Sequence, residues 1–266
     1  MGENRRLNEK YLSLLRSPVN GESLELMEKP DGNYLVGKES GTVFPIRDGI
    51  PVLMNSSNLS DANEKSMRFY DVLTPFYEFT QSFYYRMKGG EEKVRTEYLR
   101  YAGVREGDRV LEVSIGNGVN IKFLPRNTEY FGIDVSWGQL KICRQSMSRY
   151  NLNIEIFQAE AEHLPFLDES FDVVFNVGSI NYFEDKRKAI DEMIRVAKPG
   201  GRMLIADETE KSAYNHNKLP IYRGFFNRSK EPVVPPVSLL PQDISDVKLT
   251  EIRNGAYFCL QFRKAV

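Results

Sequence analysis

Cysteine and histidine are scarce in this sequence, and their scarcity excludes several kinds of site. The 266 residues include only Cys143, Cys259, His163 and His216 of these two types. The cysteines lie far apart and form no ligand-spaced pair, so we expect neither a disulfide framework nor a cysteine-based metal site. Two histidines are also too few for a histidine metal cluster. We therefore predict that no metal ion is bound.

Neither an excess of one charge nor a long apolar run is present. The chain has 36 Lys and Arg against 37 Asp and Glu, a formal net charge of −1. Because nucleic-acid-binding proteins usually carry a strongly basic face, we expect no nucleic-acid partner. No run approaches the roughly 20 apolar residues that span a bilayer, and the first residues show no apolar signal region. We expect no membrane span and a cytoplasmic location.

Three zones follow one another along the chain. Residues 1–56 combine a short amphipathic helix with short strands separated by Asn-Gly and Asp-Gly turns, which predicts a small β-rich domain. Apolar residues at three- and four-residue spacing predict a helical cover over residues 61–103. Residues 208–241 are polar, aromatic and rich in proline. They are long for a loop, which indicates a lid-like insertion within a larger domain over residues 57–266.

Strands and helices alternate from about residue 107. Five strand patterns and two intervening helices, over residues 136–150 and 185–197, predict a mostly parallel sheet with helices on both faces. Two further strand patterns flank Asn254-Gly255, a strong hairpin signal. The predicted fold is therefore α/β and Rossmann-like, with an antiparallel hairpin at the end of its sheet.

A glycine turn follows the first strand of this sheet. Gly116 and Gly118 let the backbone approach a ligand where a side chain would collide, and a helix is predicted to begin beyond them. Asp134 ends the next strand, where a carboxylate can accept both ribose hydroxyls of an adenosine ligand. Ile121 leaves the Gly-x-Gly-x-x-Gly pattern incomplete, which argues against a nicotinamide dehydrogenase.

Two later segments distinguish between cofactors. Residues 158–175 contain Gln-Ala-Glu-Ala-Glu-His-Leu-Pro-Phe and Ser-Phe-Asp-Val-Val-Phe, and residues 195–201 read Arg-Val-Ala-Lys-Pro-Gly-Gly. With the glycine turn and Asp134, in this order, they resemble the class I S-adenosylmethionine-dependent methyltransferases, especially the ubiquinone- and menaquinone-biosynthesis methylases. The resemblance implies a seven-stranded sheet in the order 3-2-1-4-5-7-6, with its last strand antiparallel. It also implies S-adenosyl-L-methionine as cofactor and S-adenosyl-L-homocysteine as product.

The same resemblance implies a role for each matching position. Glu112 would hold the cofactor's amino group, Asp134 the ribose, and Glu160 the adenine amino group. Ser114 stands where the motif usually has glycine, and Asn176 would lie under the sulfonium end. The implied cofactor-binding set is Glu112, Ser114, Gly116, Gly118, Asp134, Val135, Glu160, Ala161 and Asn176.

Aromatic residues complete the predicted site. Tyr70 and Tyr77 lie in a segment that resembles the family's paired Tyr-Asp element, whose tyrosines close over the cofactor. Asn181, Tyr182 and Tyr214 are assigned to an acceptor pocket from their location alone. No catalytic base is identified, and methyl transfer requires one only if the acceptor must lose a proton.

The N-terminal zone carries a second resemblance. Residues 17–21 and 37–53 resemble the small zinc-ribbon-type domain that is often fused to methyltransferases and normally has two Cys-x-x-Cys pairs. Here the four ligand positions are Ser17, Asn20, Gly37 and Ser40. The spacing remains without a thiolate, and two hydroxyls, an amide and a glycine do not hold Zn²⁺. We predict that this domain is free of metal.

The predicted function is in-line methyl transfer to a small or lipid-like acceptor. Tyr and Phe are frequent in the segments expected to cover the cofactor, which suits an enclosed apolar pocket. An RNA or protein methyltransferase is one alternative, since the insertion has five basic residues: Lys211, Lys218, Arg223, Arg228 and Lys230. A cofactor-binding protein without catalytic activity is another. The sequence defines neither the acceptor, nor the target atom, nor the oligomeric state.

Overall fold

Two β-sheets organise the part of the chain described by this computed structural model, which comprises residues 7–54, 89–211 and 234–266. The smaller sheet is antiparallel and follows a short 3-10 helix, Glu9–Leu14. Its strands pair in chain order and are β1 (Leu24–Lys29), β2 (Gly32–Gly37), β3 (Val43–Arg47) and β4 (Ile50–Pro51). The β-rich appendage predicted at the N-terminus is thereby confirmed.

The larger sheet has seven strands. They are β5 (Arg109–Val113), β6 (Glu129–Asp134), β7 (Ile154–Gln158), β8 (Phe171–Val177), β9 (Ala197–Glu208), β10 (Ile244–Ile252) and β11 (Tyr257–Lys264). Their spatial order is β7-β6-β5-β8-β9-β11-β10, and β11 runs antiparallel to both of its neighbours. This is the predicted order 3-2-1-4-5-7-6, and the Rossmann-like fold class is confirmed.

Helices cover both faces of this sheet. The α-helices among the described residues are α1 (Glu91–Leu99), α2 (Trp137–Tyr150) and α3 (Lys186–Val196). Ser136 and Asp185 cap the second and third, since each side chain accepts a hydrogen bond from a first-turn N–H. None of the helices in these residues is long and apolar enough to cross a bilayer.

Two local predictions differ from the structure. Beyond Gly118 the chain forms a short 3-10 helix, Val119–Phe123, rather than an α-helix. Pro125 explains the difference, because it lacks the N–H that a helix needs there and holds Leu124 in an extended conformation. The helix predicted over 185–197 also runs directly into β9, with Lys-Pro-Gly-Gly forming a bulge inside the strand.

The N-terminal segment packs into the core of the large sheet. Its Tyr11, Leu15 and Phe44 belong to the same buried cluster as Phe131 and other side chains on one face of that sheet. It also adds backbone pairing, since the N–H of residue 53 donates to the carbonyl of residue 158 at 2.8 Å. The domain boundary at residue 56 stays a prediction, and residues 61–88 of the predicted helical cover and 212–233 of the insertion lie outside the described residues.

Candidate cofactor site

The predicted cofactor residues meet at one edge of the large sheet. Glu112, Asp134 and Asn176 lie at or near the carboxyl ends of β5, β6 and β8, and Glu160 and Ala161 directly follow β7. Because these strands are parallel, their carboxyl ends share one edge. The topology therefore brings these residues together, while their contact with a cofactor stays a prediction.

The turn after β5 has a backbone that favours glycine. Ser114, Gly116 and Gly118 have φ angles of 61°, 56° and 71°, all in the left-handed region. A Cβ at Gly118 would lie 2.6 Å from Cys143 Sγ, whereas the nearest atom to a Cβ at Gly116 would be 3.7 Å away. The backbone at Gly116 is thus open to an approaching ligand. Ser114 bears the strain of roughly 1–2 kcal/mol that a side chain brings to this conformation.

Asp134 is held in place by two backbone donors. Its Oδ2 accepts from the Gly116 N–H at 2.8 Å, and its Oδ1 accepts from the Ser136 N–H at 2.9 Å. Carboxylate oxygens accept hydrogen bonds from hydroxyl groups, which is the chemistry that a ribose requires. The bond to Gly116 also couples the glycine turn to the end of β6.

Glu112 is a buried acid with one unsatisfied oxygen. It is 1% exposed, and its Oε1 accepts from Asn120 Nδ2 at 2.6 Å. Its Oε2 has no hydrogen-bond partner among the described residues. Burial raises the pKa of Glu112 to about 8, while the bond from Asn120 and the charge of Arg95 act in the opposite direction. A cation at Oε2 would favour the ionised form, so the position fits the ammonium group of S-adenosylmethionine.

The segment after β7 contains a second buried acid, Glu160. His163 Nδ1 lies 3.3 Å from Glu160 Oε2, and the other ring nitrogen contacts the Lys188 ammonium. Burial and the Lys188 charge lower the pKa of His163, which favours a neutral imidazole at pH 7. The neighbouring loop is anchored by Gln158 Nε2, which donates to the Val135 carbonyl at 2.9 Å.

Asn176 connects the ends of two central strands. Its Nδ2 donates to the Val113 carbonyl at 2.8 Å and lies 2.5 Å from Ser179 Oγ. The side chain is fully buried, and its Oδ1 has no hydrogen-bond partner in the described ranges. An acceptor at this point is therefore available beside the carboxyl ends of β5 and β8.

The acceptor-pocket residues are only partly described. Asn181 and Tyr182 form a 3-10 helix, Ile180–Tyr182, beyond β8, and both are half-buried. Tyr70, Tyr77 and Tyr214 lie outside the described residues. The predicted pocket can therefore be followed on one side only.

Sequence reasoning missed a further buried acid at the same edge. Asp207, near the end of β9, accepts from the Glu208 N–H at 2.7 Å through Oδ1, and its Oδ2 has no hydrogen-bond partner in the described chain. Burial raises the pKa of Asp207 to about 7, and hydrogen bonding from Asn181 lowers it. The sequence signal was present, because Asp207 directly follows the apolar run Met-Leu-Ile-Ala of β9.

The N-terminal positions that resemble zinc ligands do not fit a zinc ion. Ser17, Asn20 and Ser40 offer no thiolate, and Gly37 has no side chain. A Cβ at Gly37 would lie 2.3 Å from Oε1 of Glu22, so the carboxylate fills the space beside that position. Within the described ranges there is no group of three or more His, Cys, Asp or Glu arranged for a metal.

Comparisons with known proteins agree with this geometry. Residues 111–205 match a family model described as a methyltransferase domain. A 105-residue segment is 38% identical to phthiotriol/phenolphthiotriol dimycocerosates methyltransferase 1 of Mycobacterium ulcerans, covering 38% of this chain and 38% of that protein. A 174-residue segment is 26% identical to a demethylmenaquinone methyltransferase of Paenarthrobacter aurescens, covering 65% of this chain and 64% of the relative. Both relatives are thus matched over less than two thirds of their own length.

A solved structure shares the fold at lower identity. The [4+2]-cyclase SpnF matches with a TM-score of 0.58 and 16% identity, over 77% of this chain and 96% of that one. At this identity the likeness concerns the fold alone. The chain therefore shares the fold of this structure, and its residues 111–205 match the methyltransferase-domain model.

Proposed function

We propose that this protein transfers the methyl group of S-adenosylmethionine to a small or lipid-like acceptor. The observation that carries the proposal is a set of three buried acids, Glu112, Asp134 and Glu160. They lie at or just beyond the carboxyl ends of three adjacent strands, around an open glycine turn. When bound, the cofactor supplies a methyl group already activated by its sulfonium. The protein's own task is to bind, to align the acceptor and to exclude water.

Different residues along this sheet edge would bind different parts of the cofactor. Glu112 would bind the ammonium group, Asp134 the ribose hydroxyls, and Glu160 with the Ala161 backbone the adenine. On the acceptor side, Asp207 is a buried carboxylate beside Asn181 that would take a proton from an acceptor hydroxyl. Its pKa of about 7 suits that task at neutral pH.

Relatives support a lipid-like acceptor. The two matched relatives are named for a phthiotriol dimycocerosate, which is a lipid, and for a demethylated menaquinone, which is a lipid-soluble quinone. The near-neutral charge of this chain also gives no basis for the counterion release that drives nucleic-acid binding.

Two measurements test the proposal in sequence. Calorimetric titration with S-adenosylhomocysteine should show one site, and the same titration with NAD should show no heat. Protein incubated with methyl-labelled S-adenosylmethionine and a bacterial lipid extract should then transfer label to a lipid-soluble product. Absence of S-adenosylhomocysteine binding would refute the cofactor assignment. Label in RNA, with salt-sensitive filter binding, would refute the acceptor class, and cofactor binding without transfer to any fraction would favour a non-catalytic protein.

A further inference from the structure

A buried chain of hydrogen bonds lies behind Glu112. Asn120 Nδ2 donates to Glu112 Oε1 at 2.6 Å. Behind it, Arg95 Nη1 and the Tyr98 hydroxyl each donate to Asn120 Oδ1, at 2.7 and 3.1 Å. All four side chains are buried. Chemistry fixes the direction of the Asn120 amide, because a guanidinium only donates and therefore faces the amide oxygen, which leaves the amide nitrogen towards Glu112.

We propose that Asn120 is a positioning residue that presents Glu112 Oε2 to the ammonium group of the cofactor, an inference that rests on the proposed function. The Asn120 amide engages one oxygen of Glu112 and leaves Oε2 without a hydrogen-bond partner in the described part of the chain. Arg95 and Tyr98 act one step further back by fixing the amide. Asn120 lies just after the glycine turn, so the same backbone segment shapes the ligand's surroundings and orients its acid.

The same chain of bonds controls the charge of Glu112. Burial raises the pKa of Glu112, whereas the hydrogen bond from Asn120 and the charge of Arg95 lower it. Loss of Asn120 would therefore raise this pKa further and delay ionisation to higher pH. A ligand that needs the ionised carboxylate would then bind tightly only at higher pH.

The test compares two ligands that differ at the amino-acid end. S-adenosylhomocysteine carries the ammonium group, whereas 5′-methylthioadenosine keeps the adenosine and thioether without it. Asn120→Ala should weaken S-adenosylhomocysteine binding by about 10- to 100-fold, as expected for hydrogen bonds to a charged group. Binding of 5′-methylthioadenosine should stay unchanged. When affinity for S-adenosylhomocysteine is measured from pH 6 to pH 9, the pH at which affinity rises should be higher for the variant than for the wild type.

Controls separate positioning from loss of structure. Tyr98→Phe and Arg95→Met leave Asn120 in place and should weaken only S-adenosylhomocysteine binding, by less than Asn120→Ala. If all variants weaken both ligands equally, or neither, the positioning role is wrong. If the wild type binds neither ligand, the proposed function itself has failed, and this inference fails with it.

A second observation concerns the two turns of the N-terminal sheet. In the first turn, residues 17–21, the Gly21 N–H donates to the Ser17 carbonyl at 2.9 Å. In the second turn, residues 37–41, the Gly41 N–H donates to the Gly37 carbonyl at 3.0 Å. Both turns end in a glycine with a left-handed φ. In the first turn, Ser17 Oγ also accepts from the Val19 N–H at 3.3 Å. The second turn begins with Gly37, which has no side chain to accept the equivalent N–H.

Glu22 supplies the missing acceptor. Its Oε2 accepts from the N–H groups of Glu39 and Ser40 at 2.5 and 2.9 Å. Its Oε1 accepts from Asn20 Nδ2 at 2.8 Å and from the Ser40 hydroxyl. These donors, the Ser40 hydroxyl first, lower the pKa of Glu22 to about 2. An ionised carboxylate therefore connects the two turns at neutral pH.

We infer that Glu22 and Gly37 together take the place of the zinc site of the zinc-ribbon-type domain that this segment resembles. Gly37 does not have a left-handed φ, so its backbone does not require glycine. Glycine is required instead for space, because a Cβ there would lie 2.3 Å from Glu22 Oε1. The carboxylate occupies the place of the side chain at residue 37 and cross-links the turns through hydrogen bonds rather than through Zn²⁺.

A double-mutant cycle on the full-length protein tests the pairing of these residues. Gly37→Ser should lower the thermal unfolding midpoint when Glu22 is present, since the new side chain displaces the carboxylate. In a Glu22→Ala background, Gly37→Ser should raise the midpoint, because the hydroxyl replaces the lost acceptor as Ser17 does in the first turn. Equal effects of Gly37→Ser in both backgrounds would overturn the pairing.

A metal-binding variant tests the replacement itself. The variant combines Glu22→Ala with four substitutions: Ser17→Cys, Asn20→Cys, Gly37→Cys and Ser40→Cys. It should bind one equivalent of zinc and unfold at a lower temperature when a chelator is present. The four cysteines with Glu22 retained should bind zinc more weakly. Equal zinc affinity with and without Glu22 would show that the carboxylate does not occupy the metal's place. The inference would also be wrong if the single variant Glu22→Ala were as stable as the wild type.

Discussion

At the scale of single residues, the site depends on acids whose surroundings differ. Asp134 accepts two backbone N–H groups, whereas Glu112 and Asp207 are buried with one oxygen unsatisfied among the described residues. Hydrogen bonds fix an ionised carboxylate, and burial without a partner favours the protonated form. We therefore expect substitution of Asp134 to act differently from substitution of Glu112 or Asp207.

Substitution of Asp134 should act mainly on ligand binding. Asp134→Ala is expected to weaken S-adenosylhomocysteine binding by about 1.5–3 kcal/mol, the usual contribution of hydrogen bonds to a charged group. Calorimetry on the folded variant measures this directly. Asp134→Asn, which keeps the shape and one acceptor, serves as the matched control and should lose less. Unchanged affinity in a folded Asp134→Ala protein would remove this residue from the site.

Asp207 should make stability depend on pH. Its pKa rises from the model-compound value of 3.8 to about 7 on folding, so the folded state binds the proton more tightly than the unfolded state. Stability should therefore fall as the pH rises from 3.8 towards 7, and Asp207→Asn should remove that loss. We expect the variant to be about 2–4 kcal/mol more stable than the wild type at pH 8.

Urea unfolding measures this effect at two pH values. The advantage of Asp207→Asn should be large at pH 8 and small at pH 4, where the wild-type acid is protonated in the folded state. An advantage that is the same at both values would show that Asp207 is not the titrating group. If Asp207 is the proton acceptor, the same variant should keep S-adenosylhomocysteine binding while losing methyl transfer.

At the scale of elements, contacts on both sides constrain the turn between β5 and the following 3-10 helix. Its three left-handed residues are fixed between the end of β6 and α2, because Gly116 bonds Asp134 and Gly118 packs against Cys143. Strain and close packing therefore coincide where the ligand is expected.

Gly118→Ala should be costly for two reasons. It places a side chain at a φ of 71° and a Cβ 2.6 Å from Cys143 Sγ, which we expect to lower the free energy of unfolding by about 2–4 kcal/mol. Gly107→Ala is the matched control, since Gly107 has a φ of 84° with no atom within 4 Å of a Cβ. It should cost only the backbone term of about 1 kcal/mol. Equal costs in denaturant unfolding would mean that the Cys143 contact is unimportant.

At the scale of the molecule, the N-terminal segment completes the core of the large sheet. Tyr11 packs edge-on against Phe131 with ring centroids 4.8 Å apart, within a cluster that continues to Phe166 and Phe171. An isolated β-bridge between Val52 and Gln158 also joins the segment to the end of β7. Removing this segment would expose both aromatic surface and a strand edge.

Truncation tests this dependence. A chain that begins at residue 57 should aggregate or unfold without a cooperative transition, because the Phe131 cluster loses its cover. Calorimetric unfolding and size-exclusion chromatography distinguish this from independent folding. The isolated fragment would contradict the prediction if it unfolded cooperatively and bound S-adenosylhomocysteine as tightly as the full chain.

The sequence by itself determined the mostly parallel sheet, the hairpin and the strand-end positions of Glu112, Asp134, Glu160 and Asn176, whereas the strand order was implied by the family resemblance. These follow from local patterns and from motifs in a fixed order, because parallel strands bring their carboxyl ends together wherever they pair. The helix predicted beyond Gly118 is a short 3-10 helix, Val119–Phe123, because Pro125 ends it. The pattern therefore defined the site's position but not the shape of its turn.

Only the tertiary structure decided which polar groups face each other. Asn120 is 8 residues from Glu112 in the sequence, and Arg95 is 25 residues from Asn120. Glu22 accepts hydrogen bonds from residues 17 and 18 positions further along the chain. Such contacts depend on how whole elements pack, because burial and the absence of a competing partner set both hydrogen bonding and pKa. Local sequence shows an Asn, an Arg or a Glu of ordinary character. Packing makes Asn120 the support of a buried acid and Glu22 the link between two turns.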